Sequence, residues 1–160
     1  IDPFFEKEKL LEEVKQFSFK PFTPSAPVKE EFFTYTKDWL FTGLQSVNIL
    51  KDKPFLNSLT ANLSKILGNP KMRVSCFKQQ AGKELPYHRD LGHEVSFNIV
   101  LTDSSSPITF EGITPIKYEC ALLNVSKRHS VSVNKNDRII IKYLLDDISY
   151  EYAKNKFSQR

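Results

Sequence analysis

The chain of 160 residues is long enough for one domain with a sizeable hydrophobic core. Its formal net charge of +4 comes from scattered lysines rather than from a basic stripe, which argues against nucleic-acid binding. It has no signal-peptide pattern and no apolar run of the roughly 18 residues that a membrane span requires. The two cysteines form no CxxC motif. These features predict a cytoplasmic protein with no membrane partner, and they leave its oligomeric state open.

Two helices are predicted in the first 70 residues. Between Glu6 and Phe17, apolar residues recur at positions 10, 11, 14 and 17, with charged residues between them. Three prolines between positions 21 and 27 then predict an extended connector. The second predicted helix runs from Lys53 to Gly68, because Pro54 suits a first helical turn and Gly68 suits a stop.

After position 70 the chain changes to short β-type runs separated by turn residues. The runs are "MRVSCFKQQ", "VSFNIVLTD", "PITF", "CALLNVS", "HSVSV" and "RIIIKYLL". Seven or eight short strands in about 80 residues indicate an antiparallel sandwich or barrel. We therefore expect a single domain over 1–160, with a helical support region at 1–70, a β core at 71–147 and a C-terminal tail at 148–160.

The stretch "YHRDLGHEVSF" begins like the catalytic loop of a protein kinase. That loop continues His-Arg-Asp-Leu-x-x-x-Asn, but Val95 stands at the Asn position and no Asp-Phe-Gly follows. The kinase interpretation therefore fails. His88 and Asp90 are two residues apart, so in an extended segment both side chains point to the same side and can share a metal ion. His93 is interpreted as a surface turn residue.

The third histidine of the chain, His129, supplies a possible further ligand. Two His and one carboxylate form the facial triad of non-haem Fe(II) oxygenases. Arg138 follows His129 by nine residues, and "HSVSVNKNDRIIIKY" is interpreted as a hairpin that returns Arg138 toward it. An Arg facing into a barrel needs an anionic partner. That partner is either a cosubstrate carboxylate or one of three acidic residues, Asp137, Asp146 and Asp147.

The ordered set of His88, Asp90, His129 and Arg138 resembles the 2-oxoglutarate/Fe(II)-dependent oxygenases over about residues 72–147. Within them, "RVSCFKQQAGKELPYHRD", "SFNIVL" and "LLNVSKRHSVSVNKNDRIIIKYLLDD" are similar to the aspartyl/asparaginyl β-hydroxylase and proline-hydroxylase branch. Asp90 favours the proline-hydroxylase side, because some aspartyl/asparaginyl hydroxylases lack the carboxylate. The resemblance implies a mainly β fold, a double-stranded β-helix (jelly roll, cupin-like) with helices packed on one sheet.

The same resemblance implies the roles of the site residues. His88, Asp90 and His129 would hold Fe(II), Arg138 would bind the distal carboxylate of 2-oxoglutarate, and O₂ would complete the metal site. Asn98, on the strand after the metal turn, is a candidate for contact with 2-oxoglutarate or a ligand. The implied reaction hydroxylates an amino acid, free or in a peptide, such as proline or Asp/Asn, and releases succinate and CO₂.

Two other functions fit parts of the pattern. A non-enzymatic cupin-like binding module would contain the two histidines incidentally, but it would not need Arg138. A zinc hydrolase would use His88, Asp90 and His129, and it would need a general base, for which Glu84 and Glu94 are weak candidates.

Overall fold

The computed structural model describes residues 4–21, 39–43, 50–90, 92–102 and 106–159. Most of the predicted proline connector lies outside these ranges. The helices are α1 (Lys7–Val14), α2 (Pro54–Leu67) and α3 (Tyr150–Ser158). The strands are β1 (Lys20–Pro21), β2 (Trp39–Gly43), β3 (Met72–Gln79), β4 (Leu85–His88), β5 (Val95–Val100), β6 (Ile108–Phe110), β7 (Cys120–Asn124), β8 (His129–Val131) and β9 (Arg138–Leu145).

The strands form two antiparallel sheets, as a jelly roll requires. The larger sheet has the order β1-β2-β3-β9-β5-β7, and the smaller sheet has the order β4-β8-β6. Their pairing joins strands that are distant in the chain, such as β3 with β9 and β4 with β8. The predicted mainly β, cupin-like jelly roll with supporting helices is confirmed.

Strand alternation gives the larger sheet two different faces. On β9, Ile139, Ile141, Tyr143 and Leu145 belong to the apolar core under the helices. Ile140 packs instead with residues of the smaller sheet, such as Val131 and Phe110. Side chains in phase with Ile140 therefore face the space between the two sheets, and this space holds the candidate site.

The helical layer covers the other face of the larger sheet. Leu10 and Val14 of α1 meet four buried leucines of α2, namely Leu56, Leu59, Leu63 and Leu67. The prediction of α2 is confirmed: Pro54 lies in its first turn, and Gly68 ends it with a φ of 77°. None of the helices within the described ranges has the length and apolar composition that a membrane crossing requires.

Glu13 of α1 caps the first turn of α2 from outside that helix. Its Oε1 and Oε2 accept the backbone N–H groups of Phe55 and Leu56 at 3.0 and 2.8 Å. Lys53, the residue at the N-cap position, makes no side-chain capping bond, so Glu13 satisfies two donors that the helix cannot satisfy itself.

Glu13→Ala is therefore expected to lower the free energy of unfolding by about 1–3 kcal/mol, because two charge-assisted hydrogen bonds are lost in a buried place. Urea unfolding followed by circular dichroism measures this difference. Glu12→Ala on the exposed side of the same helix is the matched control and is expected to change little. Equal effects of the two substitutions would contradict the capping role.

Two features differ from the expectations above. The hairpin expected over 129–143 is wrong: β8 pairs with β4 and β6, whereas β9 pairs with β3 and β5 in the other sheet. The connecting residues cross between the sheets, and Asn134 within them is buried. The segment expected to be a tail contains α3, where Ala153 is fully buried and Phe157 stacks on Phe97 with ring centroids 5.3 Å apart.

Candidate metal centre

Pairing of β4 with β8 places the two histidines side by side. His88 and His129 are register partners in the smaller sheet, and their ring centroids are 4.4 Å apart. The chain continues past β4 to Asp90, whose backbone N–H donates to the carbonyl of Val125 at 3.0 Å. His129 therefore meets His88 and Asp90, which lie 41 and 39 positions earlier in the sequence, at one point between the sheets.

The three side chains that the sequence predicts as ligands come together in the structure. Asp90 Oδ1 lies 3.5 Å from His88 Nε2 and 3.9 Å from His129 Nε2. One ligand atom from each residue lies within 4.8 Å of the other two. A divalent ion about 2.1 Å from each atom needs separations near 3 Å, so a small closure completes the site. The side chains of His88, Asp90 and His129 are 9, 13 and 5 % exposed.

Backbone carbonyls orient both imidazole rings. His88 Nδ1 lies 2.8 Å from the carbonyl oxygen of Pro86, and His129 Nδ1 lies 2.8 Å from that of Lys127. A carbonyl only accepts, so each Nδ1 carries a proton and Nε2 is the nitrogen that faces Asp90. A protonated Nε2 donates to the carboxylate, and a metal that displaces this proton would meet the Nε2 lone pair. Burial lowers the pKa of His129, and the neighbouring His88 lowers it further. The neutral ring that a metal requires is thus favoured.

Lys142 of β9 reaches across from the larger sheet to Asp90. Burial alone raises the pKa of Asp90, but the Lys142 ammonium and the hydrogen bond from His88 lower it by more, so the carboxylate stays ionised. Lys142 Nζ donates to Oδ2, the oxygen that points away from the histidines. The ammonium therefore occupies one oxygen of Asp90 and leaves Oδ1 directed at the two rings.

Lys142→Met is expected to tighten divalent-metal binding by at least about tenfold. An ammonium about 5 Å from a doubly charged ion repels it by several kcal/mol at an effective dielectric near 20. The substitution also removes the hydrogen bond that orients Asp90. This loss is smaller than the repulsion, since removing a hydrogen-bond partner of a metal ligand weakens metal binding by about 10–100-fold. Calorimetric titration with Mn(II) measures the outcome, and Lys78→Met, which removes an ion pair with Asp137, is the control. Weaker metal binding in Lys142→Met would show that orientation outweighs repulsion.

Arg138 lies on the same face of β9 as Lys142, four residues and about 13 Å away along the strand. Its side chain is almost completely buried, with a residue exposure of 1 %. Its Nε and both terminal nitrogens have no hydrogen-bond partner among the described residues. The guanidinium lies over the Tyr118 ring, 5.5 Å from the centroid.

The three acidic residues proposed as alternative partners of Arg138 are engaged elsewhere. Asp137 binds Lys78, Asp146 binds Arg73, and Asp147 accepts the backbone N–H of Lys71. A salt bridge to an acidic residue within the described ranges therefore does not explain Arg138. A buried guanidinium without hydrogen bonds is costly, and a bound carboxylate would relieve that cost.

Asn98 and Arg138 both contact Tyr118. Asn98 projects from β5 into the same interior, opposite Lys142 in the register. Its Nδ2 donates to Tyr118 Oη at 3.3 Å, and its Oδ1 has no partner among the described residues. Asn98 is therefore placed to contact a ligand that also contacts Arg138.

His93 does not join the triad. Its Nδ1 lies 2.8 Å from Asp146 Oδ1, and Arg73 binds the same carboxylate with contacts of 2.9 and 3.0 Å. This cluster ties the ends of β3 and β9 to the loop before β5. His93, expected to be a turn residue, thus contacts Asp146 and Arg73 and lies outside the candidate metal site.

Sequence reasoning missed Lys142 and Tyr118. Period-two alternation was the available signal for Lys142, since positions 138, 140 and 142 of a strand share a face. No local pattern marks Tyr118, which lies outside the strands and reaches Arg138 only through the tertiary fold.

Two clefts open to solvent beside the triad. The larger, of about 690 Å³, reaches Asp90 and is lined also by Arg89, Glu94, Asp146 and Asp147. The second, of about 320 Å³, lies on the side of Phe110 and Arg128 and shares Arg89 and Ser126 with the first. The candidate metal centre can thus be approached from the surface.

Solved structures resemble this chain in fold, whereas comparison of its sequence with known families found no match. No protein-family model and no curated protein matches the sequence. A 2OG-Fe(II) oxygenase family oxidoreductase from Burkholderia pseudomallei matches with a TM-score of 0.61 and 16 % identity, over 90 % of this chain and 82 % of that one. The chain shares the jelly-roll fold.

Two further solved structures match in the same way. A prolyl-4-hydroxylase from Pseudomonas putida has a TM-score of 0.58 and 12 % identity, over 89 % of each chain. The DMSP lyase DddQ from Ruegeria pomeroyi DSS-3 has a TM-score of 0.50 and 11 % identity, over 82 % of this chain and 57 % of that one. Because a lyase appears beside the oxygenases, the fold alone does not assign the reaction.

Proposed function

We propose that this protein is an Fe(II)- and 2-oxoglutarate-dependent dioxygenase that hydroxylates an amino acid, free or within a peptide. One observation carries the proposal: the same interior contains a His-Asp-His group and a buried Arg138 whose guanidinium has no hydrogen-bond partner among the described residues. The first suits a divalent ion, and the second suits a carboxylate anchored away from that ion.

The donor set fits Fe(II) in its chemistry. Two neutral imidazole nitrogens and one carboxylate oxygen would hold the ion on one side and leave positions for cosubstrate and O₂. With these groups bound, the iron supplies oxidative decarboxylation, in which R–H, O₂ and 2-oxoglutarate give R–OH, succinate and CO₂. His88, Asp90 and His129 would hold the metal, while the backbone carbonyls of Pro86 and Lys127 keep the rings in orientation.

Arg138 and Asn98 would bind and orient 2-oxoglutarate. The guanidinium offers paired donors to the distal carboxylate, and Asn98 Oδ1 and Nδ2 lie on the neighbouring strand. Apolar residues between the sheets, including Val100, Val131 and Ile140, would exclude water from the part of the site that binds 2-oxoglutarate. Two structural neighbours, an oxygenase family protein and a prolyl-4-hydroxylase, support this class.

The two alternatives have less support. A binding module gives no reason for a buried guanidinium without a partner. A zinc hydrolase needs a free general base beside the metal, but Glu94 accepts the backbone N–H of Tyr150 at 2.9 Å and Glu84 is exposed to solvent.

A calorimetric titration tests the proposal without knowledge of the substrate. Protein loaded with Mn(II), in the absence of O₂, is titrated with 2-oxoglutarate and with 2-oxobutyrate, which has the same chelating end but no distal carboxylate. We expect 2-oxoglutarate to bind at least about tenfold tighter, since a buried charge-assisted pair contributes about 1.5–3 kcal/mol. Equal binding of the two acids, or binding of neither, would contradict the proposal.

A further inference from the structure

Lys142 lies at the centre of a polar row on the inner face of the larger sheet. Its register partners are Ser75 on β3 and Asn98 on β5, which are 7 and 6 % exposed. The next row along the strands, which contains Phe77 and Ile140, is apolar. Because Lys142 contacts one of the proposed ligands, this polar row faces the candidate metal centre across the space between the sheets.

The ammonium of Lys142 has one charged partner within the described ranges, which is Asp90. Its Nζ donates to Asp90 Oδ2, and its side chain is only 15 % exposed. The centroid of the Phe77 ring lies 6.0 Å from Nζ, a distance at which a ring attracts a cation only weakly. Lys142 and Asp90 thus compensate each other's charge.

A divalent ion at the triad would break this balance. The carboxylate of Asp90 would be shared between the ammonium and the ion, which together bring three positive charges against its single negative charge. Arg138, whose nitrogens have no hydrogen-bond partner among the described residues, adds a further positive charge to the same interior. Excess charge in a mostly buried place is costly, so the ion alone should bind less tightly than its three ligands would otherwise allow.

The acidic residues of the larger cleft do not restore the balance. Asp146 is already ion-paired. Glu94 and Asp147 keep their negative charges, but both are exposed to solvent, where water and salt screen them. Arg89, which is also exposed, opposes them at the same cleft. The excess positive charge is therefore met most directly by an anion that binds to the ion itself.

Asn98 allows the ammonium to stay beside the metal after the ion has taken Asp90. It stands directly opposite Lys142, and side chains in such a pair have Cβ atoms about 4.5–5.5 Å apart. Its Oδ1 is buried and accepts no hydrogen bond from a described residue. The Lys142 side chain can turn toward this oxygen without leaving the interior. Its charge would then face a carboxylate bound to the metal.

We propose that Lys142 couples metal binding to the binding of an anionic chelator. It opposes a divalent ion that binds alone, and it stabilises the same ion when a carboxylate ligand binds with it. The coupling follows from the charges around Asp90, whereas the identity of the chelator as 2-oxoglutarate rests on the proposed function. The site would consequently hold its metal firmly only together with the cosubstrate.

Oxalate is the probe, because this small dicarboxylate chelates a divalent ion and needs no contact with Arg138. Calorimetry measures two steps: Mn(II) binding to the protein, and oxalate binding to the Mn(II)-loaded protein, with formation of the Mn(II)–oxalate complex in buffer measured separately and subtracted. Compared with the unaltered protein, Lys142→Met is expected to bind Mn(II) alone at least about tenfold tighter and to bind oxalate at least about tenfold more weakly.

The opposite signs of the two steps identify an effect of charge, since a substitution that merely misplaces Asp90 would weaken both. Lys142→Gln, which stays polar, is expected to give the same two signs and shows whether the apolar Met side chain causes the change. Lys78→Met removes a lysine that is paired with Asp137, and it is expected to alter neither step by more than about threefold. Oxalate binding that does not depend on Lys142, or that weakens together with Mn(II) binding, would overturn the coupling.

The same experiment keeps the coupling distinct from the oxygenase assignment. Oxalate does not use the distal-carboxylate contact, so the coupling can be present in a protein that fails to prefer 2-oxoglutarate over 2-oxobutyrate. Conversely, a protein that shows this preference, but whose oxalate binding is independent of Lys142, keeps the proposed function and loses the coupling. A protein that binds no Mn(II) would contradict both.

Discussion

Replacing His129 by Ala is expected to abolish measurable Fe(II) binding, with a loss of more than about 100-fold in affinity, because one of the three ligands proposed among the described residues disappears from a buried site. The remaining His88 and Asp90 would hold the ion weakly, and Lys142 would then compete with it for Asp90. Anaerobic calorimetric titration with Fe(II), and with Mn(II) as an air-stable substitute, measures the loss.

His93→Ala is the matched control for this substitution. It removes the same side chain from the neighbouring loop, where His93 contacts Arg73 and Asp146 instead of the triad. We expect it to bind metal with an affinity within about threefold of the unaltered protein, since changes at sites that share no partner with the proposed ligands act largely independently of them. If both variants lose metal binding equally, the loss reports damage to the fold and the triad assignment fails.

Arg138→Met is expected to stabilise the protein and to remove 2-oxoglutarate binding at the same time. The buried guanidinium makes no hydrogen bond to a described residue, and an apolar side chain of similar length removes the cost of burying it. Replacement of buried charges by apolar residues commonly raises the free energy of unfolding by about 1–4 kcal/mol. Loss of the contact between the guanidinium and the Tyr118 ring lowers this gain by about 1 kcal/mol. We therefore expect the Tm to rise by several degrees, about 2–4 °C per kcal/mol.

Arg73→Met provides the comparison, because Arg73 is paired with Asp146 through two contacts. Its removal is expected to lower the Tm, since it leaves a carboxylate without its partner. Opposite signs for the two Arg→Met variants would show that the cost is specific to Arg138. A fall in Tm for Arg138→Met, with 2-oxoglutarate binding retained, would contradict the anchoring role.

Arg138 is expected to lower stability and to bind 2-oxoglutarate. This combination is typical of a residue in a binding site rather than of one that stabilises the fold. Functional sites often keep polar groups that cost stability, and the cost is recovered only when the ligand binds. Binding of 2-oxoglutarate should accordingly raise the Tm of the unaltered protein and leave that of Arg138→Met unchanged.

The local elements of the fold could be predicted because their signals are local. Pro54 and Gly68 delimit α2, and turn residues delimit the strand that ends at His88. The spacing of His88 and Asp90 was enough to predict that both point to one side, since i and i+2 share a face in an extended segment. The structure brings both together with His129.

The remaining features depend on contacts between distant parts of the chain. Whether β9 pairs with β8 or crosses to the other sheet is decided by burial of both faces of β9, which the sequence of the connecting turn does not encode. The helix α3 was missed because its apolar residues are few, and Phe157 gains its place only by stacking on Phe97. Tertiary packing, rather than intrinsic propensity, stabilises that helix.

The most direct test of the central claim is the visible absorption of the protein after anaerobic addition of Fe(II) and 2-oxoglutarate. We expect a weak metal-to-ligand charge-transfer band that requires both additions, persists in His93→Ala, and is absent in His129→Ala. Absence of the band from the unaltered protein, together with no binding of either Fe(II) or 2-oxoglutarate, would contradict the assignment of this site as an oxygenase centre.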